Sequence, residues 1–115
     1  MKAAICIRYG RPHPGREKLA FEAFGAALGF FGGKATAGVS EAPVGYMGSS
    51  GGGMLFIGGE RTGLLELTGT EDFQRLFLKA GYAVPELTWE ILIAGEDAVA
   101  MMGLWATVGS ELGFM

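Results

Sequence analysis

The segment Ala-Ala-Ile-Cys-Ile-Arg-Tyr at residues 3–9 decides the fold class, because this apolar, β-branched run ends at Gly10 and Pro12 as a strand does. Side chains along a strand alternate between its two faces. One face would carry Ala3, Ile5, Ile7 and Tyr9, and the other would carry Ala4, Cys6 and Arg8. The segment is therefore predicted to be the first strand of a sheet.

Three more strands are predicted further along the chain. Residues 39–47 are weakly strand-like, and Pro43 indicates an edge strand because proline cannot donate to a sheet ladder. The glycine-rich loop 48–53 would join this strand to the short apolar strand 54–57 as a hairpin. The last strand spans residues 87–94, and its alternation puts Trp89 on one face and Thr88, Glu90 and Leu92 on the other.

Helices are predicted between and after these strands. Apolar spacing predicts the first over about residues 15–31, and Gly25, Gly29 and Gly33 favour its close packing against another element. A helical turn or two is expected over residues 60–67.

The second main helix has clear end signals. Thr70 is a predicted N-cap, with acidic residues in the first turn, Lys79 in the last turn and Gly81 just beyond it. A final helix begins behind Gly95 and runs towards Leu112. The element order predicts an α+β fold with a ferredoxin-like βαββαβ unit, an antiparallel sheet and an extra C-terminal helix.

Composition limits the classes of protein to which the chain can belong. With 115 residues, we expect a single ferredoxin-like domain over residues 1–115. The formal net charge of −3 provides no basic surface for nucleic acid. The charge-free stretch at residues 42–59 contains seven glycines and Pro43, so no membrane-spanning segment is predicted. The short apolar start and the single Cys6 favour a cytoplasmic protein.

Hydrophobic residues make up 50% of the chain, which predicts self-association. The sheet face opposite the helices would carry Cys6, Arg8, Thr88 and Glu90, with either Met54 and Phe56 or Leu55 and Ile57, and is too apolar to be fully solvated. The final helix is apolar on most sides, so we expect it to be buried on most sides. Its candidate interface residues are Met101, Met102, Trp105 and Val108. A homodimer or larger homo-oligomer is predicted.

With this predicted fold and self-association, the chain resembles the dimeric α+β barrel superfamily, in which two ferredoxin-like sheets face each other. That superfamily includes cofactor-free monooxygenases, haem-handling enzymes, stress-induced proteins and amino-acid-sensing domains. The segments at residues 8–12 and 72–76 also look like those of uncharacterised bacterial proteins of similar length. Neither segment is a catalytic signature.

Arg8 and Glu90 are the leading polar candidates. They are predicted on the same sheet face, on antiparallel neighbouring strands in the sheet centre, so an ion pair across the ladder is expected. A buried pair would fix the register of the dimer. Alternatively, Arg8 binds an anionic ligand and Glu90 serves as its hydrogen-bonding or acid–base partner.

The remaining candidates are single residues. His13, the only histidine, is a weak candidate base or ligand in the loop after the first strand, and Cys6 lacks a partner imidazole. No metal-ligand spacing is present, and no cofactor is predicted. Trp89, Trp105, Tyr46 and Phe24 are either core residues or the lining of an apolar ligand pocket.

Three functions remain open from the sequence. The first is a homo-oligomeric module that binds a small apolar or anionic ligand, or another partner, without evident catalytic machinery. The second, implied by the resemblance, is a small cofactor-free monooxygenase or haem-handling enzyme. The third is a self-assembling structural component, which the unusual hydrophobicity suggests.

Overall fold

The computed structural model describes residues 1–115 and contains a four-stranded sheet with four helices. The strands are β1 (Lys2–Tyr9), β2 (Val44–Met47), β3 (Gly53–Glu60) and β4 (Thr88–Ile93). The helices are α1 (Glu17–Thr36), α2 (Arg61–Thr68), α3 (Glu71–Gly81) and α4 (Gly95–Glu111). This order contains the predicted βαββαβ unit with a C-terminal helix, so the predicted α+β fold class is confirmed.

All neighbouring strands of the sheet are antiparallel, in the order β2-β3-β1-β4. The predicted edge strand is indeed at an edge, with Pro43 immediately before it. The strand that contains Glu90 was expected in the sheet centre, and this is wrong. β4 pairs with β1 as predicted, but it is the second edge strand because no strand pairs with its other side.

The core lies between the sheet and helices α1, α2 and α3. Ile5 and Ile57 are opposite each other on β1 and β3, and both are fully buried. Phe31 from α1 and Phe73 from α3 pack edge to face at 6.2 Å. The buried cluster consists of Ala3, Ile5, Ile7, Phe31, Leu55, Ile57, Leu64, Leu67 and Phe73.

The other side of the sheet, which we call the open face, carries the alternate residues. Leu55 and Ile57 are 3% and 0% exposed in the core, so Met54 and Phe56 belong to the open face. The register arranges this face in cross-strand rows, one of them Val44, Phe56, Cys6 and Glu90, and the next Tyr46, Met54, Arg8 and Thr88.

The start of α3 agrees with its sequence signal, whereas the end of α1 does not. At α3, Thr70 accepts a hydrogen bond from the Phe73 amide at 3.3 Å, which confirms the predicted N-cap. Helix α1 continues five residues beyond the predicted end at 31, through Gly32 and Gly33, to Thr36. The expected close packing at Gly25, Gly29 and Gly33 is wrong within the chain, because a Cβ at each would meet nothing within 4 Å. These glycines face away from the sheet.

Helix α4 extends away from the rest of the fold. None of its residues is buried, and Trp105 is 79% exposed, so the expected burial on most sides does not occur within one chain. The radius of gyration is 16.4 Å, compared with about 13 Å for a compact chain of this length. Gly95, with φ of 65°, begins the helix in the left-handed region. No helix has both the length and the apolar character to cross a membrane.

Candidate ligand-binding site

An apolar cavity of about 200 Å³ lies between the sheet and helices α1 and α3. Sixteen of its 18 lining residues are hydrophobic. Ile7 and Leu55 form its floor on the sheet, whereas Phe24, Ala27 and Phe77 come from the helices. An apolar cavity of about 150 Å³ is known to stay dry and to bind benzene, so this one has room for a small aromatic ring system.

A polar cleft borders the cavity at the same end of the sheet, where β1 and β2 end and β3 begins. Its lining includes Arg8, Arg11 and Glu86 together with much of the loop 48–53. Glu86 has φ of 58° and is the one non-glycine residue in the left-handed region. Strained backbone of this kind often accompanies functional sites.

The cavity and the cleft share Tyr9 and Met47 as walls. The chain also passes from one to the other at Arg11, because Gly10 and Arg11 line the cleft and Pro12 lines the cavity. The aliphatic part of Arg11 packs over Gly51, where a Cβ would be 3.0 Å from its Cγ. The polar and apolar compartments are therefore adjacent.

Tyr9 is the titratable side chain at this boundary. Its ring packs edge to face on Phe24 at 6.3 Å, and burial raises the pKa of its phenol above the ordinary value. A Cβ at Gly53 would be 2.6 Å from the Tyr9 hydroxyl, so this glycine provides the space in which the hydroxyl lies. The protonated phenol can donate a hydrogen bond at the mouth of the cavity.

The predicted contact between Arg8 and Glu90 is present on the open face. Arg8 Nη1 donates to Glu90 Oε1 at 3.2 Å across a diagonal of the β1–β4 ladder. The two side chains are 49% and 55% exposed, so the pair is not desolvated within one chain. Arg8, the residue predicted to bind an anion, also lines the cleft.

The aromatic residues predicted to line a pocket separate in the structure. Phe24 lines the cavity, whereas Tyr46 lines the polar cleft and packs edge to face on Phe56 at 5.8 Å. Trp89 packs against Phe73 at 5.3 Å, and Trp105 projects from α4 far from the core. Tyr46 and Trp105 are not core residues, because β2 is an edge strand and α4 does not pack on the sheet.

The remaining predicted candidates do not line either site. His13 is exposed in the turn before α1, where its amide donates to the Ala83 carbonyl at 3.0 Å and its carbonyl accepts from the Arg16 amide at 2.9 Å. Cys6 is buried within the β1 ladder, and Thr88 is exposed opposite Arg8. No group of three or more His, Cys, Asp or Glu residues is placed to hold a metal ion.

Sequence reasoning missed Tyr9, Arg11, Met47 and Glu86. Tyr9 was assigned to the helix-covered face, but nothing in the alternation distinguishes a core residue from one at a cavity mouth. The available signal was the position of these residues in the sequence. Tyr9, Arg11 and the glycine-rich loop all lie where predicted strands end, and binding residues are common in such loops.

Comparisons with known proteins support the fold. No protein-family model matches the chain, and no curated protein matches it. The structure of Rv0793 from Mycobacterium tuberculosis superimposes with a TM-score of 0.67 at 15% sequence identity. The match covers 84% of this chain and 97% of the other. At this identity the likeness shows a shared α+β fold.

Proposed function

We propose that the protein is a homo-oligomeric module that binds a small apolar ligand in the cavity between the sheet and helices α1 and α3. The cavity is the observation that carries this proposal, because a concave and mostly apolar pocket is the usual form of a small-ligand site. A void lined by apolar side chains holds no strongly bound water that a ligand would have to displace.

The second part of the proposal is that another copy of the chain covers the open face and α4. The open face measures roughly 400 Å² from strand spacing, and one side of α4 adds roughly 250 Å². The total is close to the about 800 Å² per partner of a standard interface. Large apolar side chains are exposed along α4 and the residues after it, among them Met101, Met102, Leu104, Trp105, Leu112 and Phe114.

The strand order and the open face also support membership of the dimeric α+β barrel superfamily. In that arrangement the open faces of two sheets meet, and the row of Tyr46, Met54 and Arg8 would lie at the interface. A second copy would bury the Arg8–Glu90 pair, which is half-exposed in the single chain. The pair would then contribute to the register between subunits.

Ligand binding is testable with 2-naphthamide, a neutral bicyclic aromatic compound. A ligand that binds only the native state raises the melting temperature, by about 5–10 °C at ten times its dissociation constant. The matched variants are Ala27→Leu, which fills part of the cavity, and Ala26→Leu, which adds the same atoms to an exposed position one residue earlier on α1.

We expect the wild-type protein and Ala26→Leu to show the shift, and Ala27→Leu to lose most of it relative to its own unliganded state. Isothermal titration calorimetry would provide the dissociation constants. Equal binding by Ala27→Leu would place the ligand elsewhere. Absence of binding by the wild-type protein to both 2-naphthamide and indole would contradict the proposed function.

A cofactor-free monooxygenase is a second candidate, and Tyr9 is the observation that favours it. Its phenol, protonated at neutral pH as in any ordinary tyrosine, lies beside a cavity that fits an aromatic substrate. A hydrogen bond from this phenol would stabilise negative charge developing on an aromatic hydroxyl substrate. Oxygen consumption with a naphthol, lost in Tyr9→Phe, would favour this function over simple binding.

A further inference from the structure

We infer that the ligand is an amphipathic carboxylate, with its apolar part in the cavity and its carboxylate in the adjoining cleft beside Arg11. This inference rests on the proposed function and specifies the chemical class of ligand for that site. The observation behind it is the contact between two compartments of opposite character at Tyr9 and Met47.

Arg11 has the position that this ligand requires. It is the residue between Gly10, which lines the cleft, and Pro12, which lines the cavity. Its aliphatic stem packs against Gly51, which lines the cavity, so Arg11 lies at the boundary between the two compartments. The planar guanidinium matches a carboxylate with two parallel hydrogen bonds.

The charges around the cleft leave Arg11 available. Of the two arginines in the cleft, Arg8 is paired with Glu90, whereas Arg11 makes no ion pair. Glu86 is the single acid among the lining residues, and no cation lies within ion-pair distance of it. A carboxylate in the cleft would therefore be attracted by Arg11 and repelled by Glu86.

The glycines of the loop 48–53 allow such a ligand to approach the backbone of the cleft closely. Gly51 lies in the left-handed region with φ of 94°, and a tight turn is closed by the Gly48 amide, which donates to the Gly52 carbonyl at 2.7 Å. A side chain at Gly52 would meet the carbonyl of Tyr9 at 2.8 Å. The loop therefore packs directly against the end of β1. Ser50 adds a hydroxyl donor to the cleft.

The test compares 2-naphthoate with 2-naphthamide, which have the same ring system and differ in charge. We expect the wild-type protein to bind the carboxylate about 10- to 100-fold more tightly, the range of one charge-assisted hydrogen-bonded pair. Arg11→Gln should remove most of this preference, because it lowers the affinity for the carboxylate far more than the affinity for the neutral amide. Glu86→Gln should increase the affinity for the carboxylate by several-fold, which damage to the fold would not do.

Each alternative result has a definite meaning. Equal affinity for the two compounds in the wild-type protein would overturn the carboxylate inference while the proposed function stands. A carboxylate preference that survives in Arg11→Gln would also overturn it, as would tighter binding of 2-naphthylmethylamine than of 2-naphthoate. Loss of all binding in the wild-type protein would instead remove the proposed function itself.

Should Arg11→Gln fail to fold, Arg11→Lys tests the same point. A reduced preference for the carboxylate is expected, because one ammonium replaces the planar pair of donors.

Discussion

The two faces of the sheet are covered to very different extents within one chain. On one face, Ile5 and Ile57 are fully buried beneath α1, α2 and α3. On the other, Tyr46 and Arg8 are exposed, and no helix of the same chain covers them. Helix α4, which follows β4, extends away from the sheet instead of packing on this face.

Because of this difference, we expect one set of residues to stabilise the fold of each subunit and another set to stabilise the oligomer. Residues of the helix-covered face should determine the free energy of unfolding of each subunit. The exposed residues of the open face, such as Met54, should determine the dissociation constant of the oligomer, since they have fewer intrachain contacts to lose. Two residues on one strand, three positions apart, allow both expectations to be compared.

The largest effect is expected for Ile57→Ala on β3. Its side chain is fully buried in the core, so the substitution should reduce the free energy of unfolding by about 2–5 kcal/mol. Met54→Ala, on the open face of the same strand, should weaken subunit association and change the intrinsic stability of a subunit by less than about 1 kcal/mol. Urea denaturation at several protein concentrations separates the two effects, because only the association contribution depends on concentration.

A result in which Met54→Ala destabilises the chain as much as Ile57→Ala, at every concentration, would contradict the distinction between the faces. The open face would then contribute to the subunit fold in a way that its exposure does not explain.

A smaller effect is expected at the Arg8–Glu90 pair. If a second copy covers the open face, Arg8→Ala and Glu90→Ala should each weaken association by about 1–3 kcal/mol, because each leaves one charged group without its partner in the interface. The double variant should lose less than the sum of the two. Sedimentation velocity over a dilution series measures the dissociation constants.

The chain provides a matched control in the pair of Arg75 with Glu71 on α3. That pair has a similar separation of 3.1 Å, but its side chains are 76% and 77% exposed. Removing either member should change stability and association by less than about 0.5 kcal/mol. Unchanged association in both the Arg8 and the Glu90 variants would remove this pair from the interface.

Much of the fold could be predicted because local signals agreed with the tertiary structure. The alternation in β1 identified its two faces, and Thr70 marked the start of α3 by the side-chain cap that the structure contains. The run at residues 54–57 could not reveal its buried face, since four consecutive apolar residues have no alternation. Packing against β1 decided that Leu55 and Ile57 point to the core.

The candidate site was less predictable for a physical reason. A cavity exists where side chains from α1, α3 and β1 fail to fill the space between them, and this depends on tertiary distances that the sequence pattern does not contain. The contact between Arg8 and Glu90 was predictable because it needs only strand order and face. The position of α4 was not, because its composition predicts burial without identifying the surface that buries it.

We propose that a second copy of the chain covers the open face and α4. The most direct test is the mass of the purified full chain in solution, measured by light scattering during size exclusion at several concentrations. We expect at least twice the chain mass of 12.1 kDa, stable to dilution into the micromolar range. A folded monomer at every concentration would contradict it.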